Sequence, residues 1–222
     1  MKRKKLWGLF QLRKKWTLTF KGKMFVILLV IAFLGLILTN IHGFLAPIAP
    51  IEADILVVEG WIPDEGIEGA ITEFKSKNYQ QLITTGSPLG KGFYLSEYKN
   101  FAELSAATIM AIGFDTEKLA AVPAPKVKRD RTAASGMALK NWLKTSDLKV
   151  DSLNIYTFDV HTRRSWLIYK KIFAPGIKVG AIAHKSSEYS HHSWWRYSAG
   201  VRSILSEAIA YLYALVWSLT QY

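Results

Sequence analysis

The chain has 222 residues, is 50% hydrophobic and 13% aromatic, and contains no cysteine. That mixture excludes a disordered or collagen-like chain and a disulfide scaffold, and the missing thiols exclude Cys-ligated zinc, iron–sulfur clusters and thiolate catalysis. Lys and Arg outnumber Asp and Glu by 29 to 17, a net charge of +12, but the excess is uneven.

The first 23 residues carry nine Lys or Arg and no acid, so most of the net charge lies in this tail. Residues 24–51 then hold no Asp, Glu, Lys or Arg, and MFVILLVIAFLGLIL opens them without a polar break. About 20 helical residues cross a hydrocarbon core of about 30 Å, so one transmembrane helix is expected over 24–46. Clustered cations stay on the cytoplasmic side, which predicts a single-pass anchor with residues 1–23 inside and the rest outside. Ala46 and Ala49 each precede proline, which disfavours signal-peptide cleavage there. Trp7, Phe10, Trp16 and Phe20 among the cations suit a headgroup interface and anionic lipids rather than nucleic acid.

A short linker over 47–52 leads to an outer domain over 53–222. There β-branched runs alternate with amphipathic stretches. Strands are expected over 55–61, 81–86, 119–122, 152–158 and 178–183. Helices are expected over 66–77, 98–112, 132–144, 162–173 and 193–217. Strands joined by helical crossovers make a mainly parallel sheet covered on both faces. The fold class is therefore α/β: a Rossmann-like three-layer αβα domain behind one N-terminal transmembrane helix. The 15 uncharged residues after Glu207 are short for a second span and fit a core-packed helix or a membrane-surface contact.

In such sheets ligands bind beyond the carboxyl ends of the strands. After the first strand stand Glu59, Gly60, Trp61 and Asp64; after the second, Thr85, Gly86 and Ser87. Arg129, Asp130, Arg131 and Thr132 open one helix, where Asp130 or Thr132 could cap it and free N–H groups could hold an anion. Asp159, His161, Arg163 and Arg164 open another. Four arginines and a histidine at one sheet edge describe an anion pocket, because the guanidinium fork suits phosphate or carboxylate oxygens. The competing reading has these arginines on solvated faces, paired with Asp130, Asp159 and Glu59. His161 is the candidate general acid or base, with Glu59 as its carboxylate partner and His184 as a further candidate nearby.

No metal site is assigned. His191 and His192 are neighbours whose side chains would diverge by roughly 100° on a helix, and Glu59, Asp64 and Glu97 are the only plausible oxygen ligands. GSPLGKG, from Gly86 to Gly92, is one residue short of a P-loop; no GxGxxG follows the first strand, and no GxSxG elbow occurs.

The order of these pieces resembles the YdcF/SanA/ElyC family of bacterial envelope proteins over about residues 53–216. ADILVVEGW matches that family's first strand and glycine loop, LITTG its second strand, and VHTRRS a strand ending in His followed by Arg. RDRTAAS stands where the family has Ser-x-Asn-Thr-x-Glu-Asn: Thr132 is kept, while Ala134 replaces the glutamate and Ser135 the asparagine. The resemblance implies a Rossmann-like domain on the inner membrane. Its role would lie in envelope barrier function or in lipid-carrier-dependent peptidoglycan and polysaccharide assembly. A family member has been linked to S-adenosylmethionine, but an outward-facing domain has no supply of that cofactor, and none is assigned.

The expected function is capture of a phosphorylated envelope intermediate, with Gly60, Thr85, Gly86, Ser87, Arg129, Asp130, Arg131, Thr132, Arg163 and Arg164 around it. The alternative is a non-enzymatic scaffold docking envelope-assembly proteins through Trp194, Trp195, Tyr197 and the apolar C-terminal helix.

Overall fold

The computed structural model describes residues 16–217, together with the backbone of two two-residue strand fragments, Lys5–Leu6 and Phe10–Gln11. The lipid contacts expected of Trp7, Phe10 and most of the basic tail, and the end of the apolar C-terminus at 218–222, lie outside the described residues. The chain divides into two compact units, Met1–Asn40 and Ile41–Tyr222.

Helix α1, Phe20–Leu45, is 26 residues long. At 1.5 Å per residue it measures about 39 Å, enough to cross a hydrocarbon core of about 30 Å. Through the first unit it exposes apolar side chains all round, from Phe25 to Leu38. A helix that is apolar on every side has no solvated face to turn to water, which fits a membrane anchor. Its last turn differs. Ile41, His42 and Leu45 belong to the second unit, where His42 and Leu45 are buried, so the folded domain reaches back past the expected linker.

The second unit holds five strands: β1 (Ile55–Glu59), β2 (Gln81–Gly86), β3 (Leu119–Pro123), β4 (Ser152–Phe158) and β5 (Lys178–His184). All pair parallel in the order β3-β2-β1-β4-β5. Helices α2 (Asp64–Ser76), α3 (Phe101–Ala111), α4 (Arg131–Thr145) and α5 (Thr162–Phe173) make the crossovers, and α6 (Ser198–Trp217) closes the chain. The expected three-layer α/β architecture is present.

Side chains alternate across a strand, so β1 feeds two cores. Leu56 and Val58 meet Ile67, Ile71 and Phe74 of α2 and Ile109 of α3 on one face. Ile55 and Val57 share the other with Leu139 of α4 and Tyr169 and Ile172 of α5. Both faces being covered, β1 is buried throughout, an apolar run from Ile55 to Val58 that ends in Glu59. Alpha-6 has a separate core: Ile204 packs with Leu45, Val160, Tyr189 and Trp194.

The topology fixes where a ligand can enter. From β1 the chain winds outward to β2 and β3, then returns to the other side of β1 for β4 and β5, so strand order reverses between β1 and β4. A crevice opens at the carboxyl ends of strands at such a reversal, because the two flanking loops leave in opposite directions. Glu59 ends β1 there, and Asp159 follows β4.

Candidate functional site

A cleft of about 680 Å³ occupies this reversal point. Glu59, Thr85, Gly86, Ser87, Arg129, Asp130, Arg131, Thr132, His161 and Arg164 all reach its wall, from four segments far apart in sequence. Gly60 and Arg163 do not. Gly60 lies beneath the start of α3, where a Cβ would collide with the Phe101 carbonyl. Gly86 packs there too, its notional Cβ 2.6 Å from Cβ of Phe101. Both glycines let α3 approach the sheet. Arg163 turns away: its Nε donates to the Phe44 carbonyl at 2.6 Å, and its guanidinium lies 4.4 Å from the Phe44 ring centroid.

Glu59 is the buried base of the cleft. Its Oε2 accepts from Thr157 Oγ1 at 2.5 Å and from Trp61 Nε1 at 3.3 Å, and its Oε1 accepts from Ser165 Oγ at 2.9 Å. Burying a carboxylate is costly unless donors replace water, and these three do. His161 Nε2 stands 3.4 Å from Glu59 Oε2, within ion-pair range, but it has no aligned hydrogen bond.

The other ring nitrogen meets a residue that the sequence reasoning missed. Glu207 of α6 places Oε1 3.0 Å from His161 Nδ1 and takes two bonds from Arg164, Nε to Oε2 at 2.9 Å and Nη2 to Oε1 at 3.0 Å. Arg164 Nη2 also lies 2.9 Å from His161 Nδ1. A guanidinium only donates and a carboxylate only accepts, so Nδ1 serves one partner at a time. With Nδ1 protonated, His161 donates to Glu207; with Nδ1 bare, it accepts from Arg164. The imidazole is thus poised between two proton arrangements, with Glu59 at its far side.

Burial works against ionisation of Glu207, but hydrogen bonds from His161 and Arg164, reinforced by their charge, outweigh it and hold the carboxyl down at about 2 from 4.5. Arg164 responds in kind: burial disfavours its cation, and bonding to Glu207 more than offsets this and raises its pKa. Arg164 is therefore committed to a protein carboxylate. A signal for this existed, because Glu207 is the only charged residue after Arg202.

The opposite wall is open. Arg129 and Arg131 are exposed at the start of α4, and Lys128 joins them on the wall. Arg129 approaches Asp130 Oδ2 at 3.6 Å, with the arginine side chain 70% and the aspartate side chain 36% exposed. Asp130 occupies the N-cap position of α4 in the left-handed region, φ 59°, and makes no side-chain cap bond. Thr132 is buried, with its Oγ1 3.5 Å from Arg164 Nη1. Neither expected cap is made, and among the described residues no side chain is recorded capping the first turn of α4. The second non-glycine residue with positive φ among those described, Asp159 at 49°, follows β4 on the other side of the crevice. Asp159 is buried and tied to the end of α1: His42 Nε2 lies 2.8 Å from its Oδ1, and the Tyr189 hydroxyl donates to Oδ2. Strain of this kind gathers where surroundings over-determine the backbone.

The remaining candidates lie elsewhere. His184 pairs with the Tyr156 hydroxyl at 2.8 Å, beside Gly69 of α2. His191 and His192 have ring centroids 4.0 Å apart, and among the described residues no group of three His, Asp or Glu could hold a metal. Trp194 is buried, whereas Trp195 and Tyr197 are exposed.

The arrangement joins a buried proton-handling set to an open cationic wall. Neither protein-family models nor curated proteins match this chain, so its geometry and its sequence motifs carry the functional argument.

Proposed function

We propose that this is a membrane-anchored, extracytoplasmic domain that binds a phosphate-bearing envelope intermediate, either a polyprenyl-phosphate carrier or a phosphosugar, in envelope biogenesis or barrier function. The N-terminal cations and the charge-free stretch over 24–51 support an inner-membrane anchor with the cytoplasmic end first. The motif resemblance to the YdcF/SanA/ElyC family supports the envelope setting.

One observation carries the ligand class. Lys128, Arg129 and Arg131 flank the uncapped first turn of α4 on the wall of a cleft set at the sheet's reversal point. Cations and unpaired N–H groups together favour an anion more than either alone. Arg164 also lines the cleft, but its Nε and Nη2 are engaged by Glu207. Its role is to hold Glu207 and His161 in place. With a phosphoester at the cationic wall, His161 between Glu59 and Glu207 is the group placed to move a proton.

The test is a titration of the full chain in detergent micelles with inorganic phosphate and with farnesyl phosphate. Saturable binding that weakens in Arg131→Ala and Lys128→Ala, while Arg163→Ala binds normally, supports the reading. Binding indifferent to Arg131 and Lys128 ends it.

A further inference from the structure

The inward face of α6 delivers Glu207 to the cleft; its outward face is exposed among the described residues. Leu205, Ile209, Leu212 and Val216 are 54%, 69%, 61% and 66% exposed. Their spacing of four, three and four residues sets them within an arc of roughly 60° at 3.6 residues per turn. Tyr213 flanks the arc, and Arg202 stands exposed one turn before Leu205. Single exposed leucines are ordinary on a protein surface, whereas four in one continuous stripe mark a contact.

The same unit shows what lies beside this stripe. The last turn of α1 packs on α6: Phe44 meets Tyr211 edge to face with ring centroids 5.4 Å apart, and Leu45 shares a core with Ile204. This last turn closes the helix Phe20–Leu45, which is long and apolar enough to cross a membrane, so α6 packs against the end of the candidate anchor. Trp195 and Tyr197, exposed just ahead of α6, are side chains that favour a headgroup layer.

We propose that α6 lies flat on the bilayer that anchors the chain, with Leu205, Ile209, Leu212 and Val216 sunk into the boundary between headgroups and acyl chains. By length and composition α6 is also apolar enough to cross a membrane. Its inward face rules against that, because Ile204 is buried in protein and Glu207 is bonded to Arg164 and His161. One packed face and one apolar face describe a helix in the interface plane. The same helix supplies Ala210, Tyr213 and Ala214 to the cleft wall, so docking brings that wall beside the headgroups. Only the step from there to a lipid-linked phosphate as the cleft's occupant rests on the anion reading; the docking does not.

The chain has no cysteine, so single labelling sites can be introduced cleanly. Leu205→Cys, Ile209→Cys, Leu212→Cys and Val216→Cys, with Ser206→Cys beside the stripe and Tyr94→Cys as a distant control, would each carry a nitroxide. The full chain would be reconstituted in phosphatidylethanolamine–phosphatidylglycerol vesicles. Power saturation with oxygen, which partitions into lipid, and a nickel chelate, which stays in water, reads the depth of each label. The four stripe labels are expected at one shared shallow depth, with oxygen-to-nickel accessibility roughly five-fold above Tyr94→Cys, and Ser206→Cys wetter than all four. Stripe labels as wet as Tyr94→Cys overturn the proposal. A depth that increases steadily from residue 205 to 216 and includes Ser206→Cys overturns it in favour of a span. Spin–spin broadening that disappears on dilution with unlabelled chain overturns it in favour of a second copy. Phosphate titration of the same chains in detergent reports the cleft separately, so failure of one reading is distinguishable from failure of the other.

Discussion

Two helices begin at the cleft with similar sequences, Arg-Asp-Arg-Thr at α4 and His-Thr-Arg-Arg at α5, yet their side chains meet opposite fates. At α4 the arginines stay in solvent, and the nearest acid to Arg129 is Asp130 at 3.6 Å. At α5 the basic side chains are engaged: Arg163 on Phe44, Arg164 on Glu207, and His161 Nδ1 beside Glu207, with Glu59 3.4 Å from its Nε2. On the proposed anion reading, an arginine at a helix start is available to a ligand to the extent that the fold leaves it unpaired. A carboxylate 43 residues away engages Arg164.

The largest expected effect comes from removing that carboxylate. Glu207→Gln leaves the part-buried Arg164 without its hydrogen-bonded counter-charge, which costs about 3 kcal/mol of stability at neutral pH. The depressed carboxyl of Glu207 gives the same order: a fall from 4.5 to about 2 corresponds to about 3 kcal/mol. Because the folded pKa is depressed, this stability is complete above about 4.5 and disappears as pH falls towards 2. Denaturant unfolding of the full chain in detergent should show wild type and variant separated at pH 7 and converging near pH 2. Equal stabilities at pH 7 would mean that Arg164 is not held as described.

Second is Arg131→Ala on the open wall. Losing one charge-assisted bond to phosphate should weaken anion binding about tenfold with no change in melting temperature. Third, Arg163→Ala reverses that pattern, leaving anion affinity alone while removing a hydrogen bond and a cation–π contact worth together about 1 kcal/mol of stability. If Arg163→Ala weakened binding and Arg131→Ala did not, the roles of the two helix starts would be interchanged.

Much of this was legible before any coordinates. Gln81–Gly86, Ser152–Phe158 and Thr162–Phe173 have the bounds that periodicity and flanking residues suggest, because both sheet faces are covered and each crossover is amphipathic on one side. The gathering of strand-end residues at one edge also follows from parallel topology. Sequence does not show which of two adjacent arginines faces the cleft: Arg163 and Arg164 are roughly 100° apart on α5, and only the placement of Phe44 and Glu207 separates them. Nor does it show that His42, inside an apolar helix, reaches Asp159 across 117 residues. Such pairings depend on where α6 and the last turn of α1, from Ile41, pack within the second unit, and neither belongs to the repeating strand–helix pattern that made the rest readable.

The smallest effect tests the open wall from its acidic side. Asp130 sits at φ 59°, a backbone region in which Asp and Asn are both tolerated, so Asp130→Asn preserves the turn while deleting the charge beside Arg129. An exposed pair of this kind is worth less than about 1 kcal/mol, so the melting temperature should hold. Removing a negative charge from the wall should instead tighten inorganic phosphate binding, by roughly three-fold, and the gain should shrink with added salt as screening takes over. A three-fold loss with a phosphosugar but not with inorganic phosphate would carry a different message. The Asp130 carboxylate would then be accepting a hydrogen bond from a sugar hydroxyl. Running the variant against phosphate and a phosphosugar in parallel separates charge repulsion from hydroxyl recognition at this position.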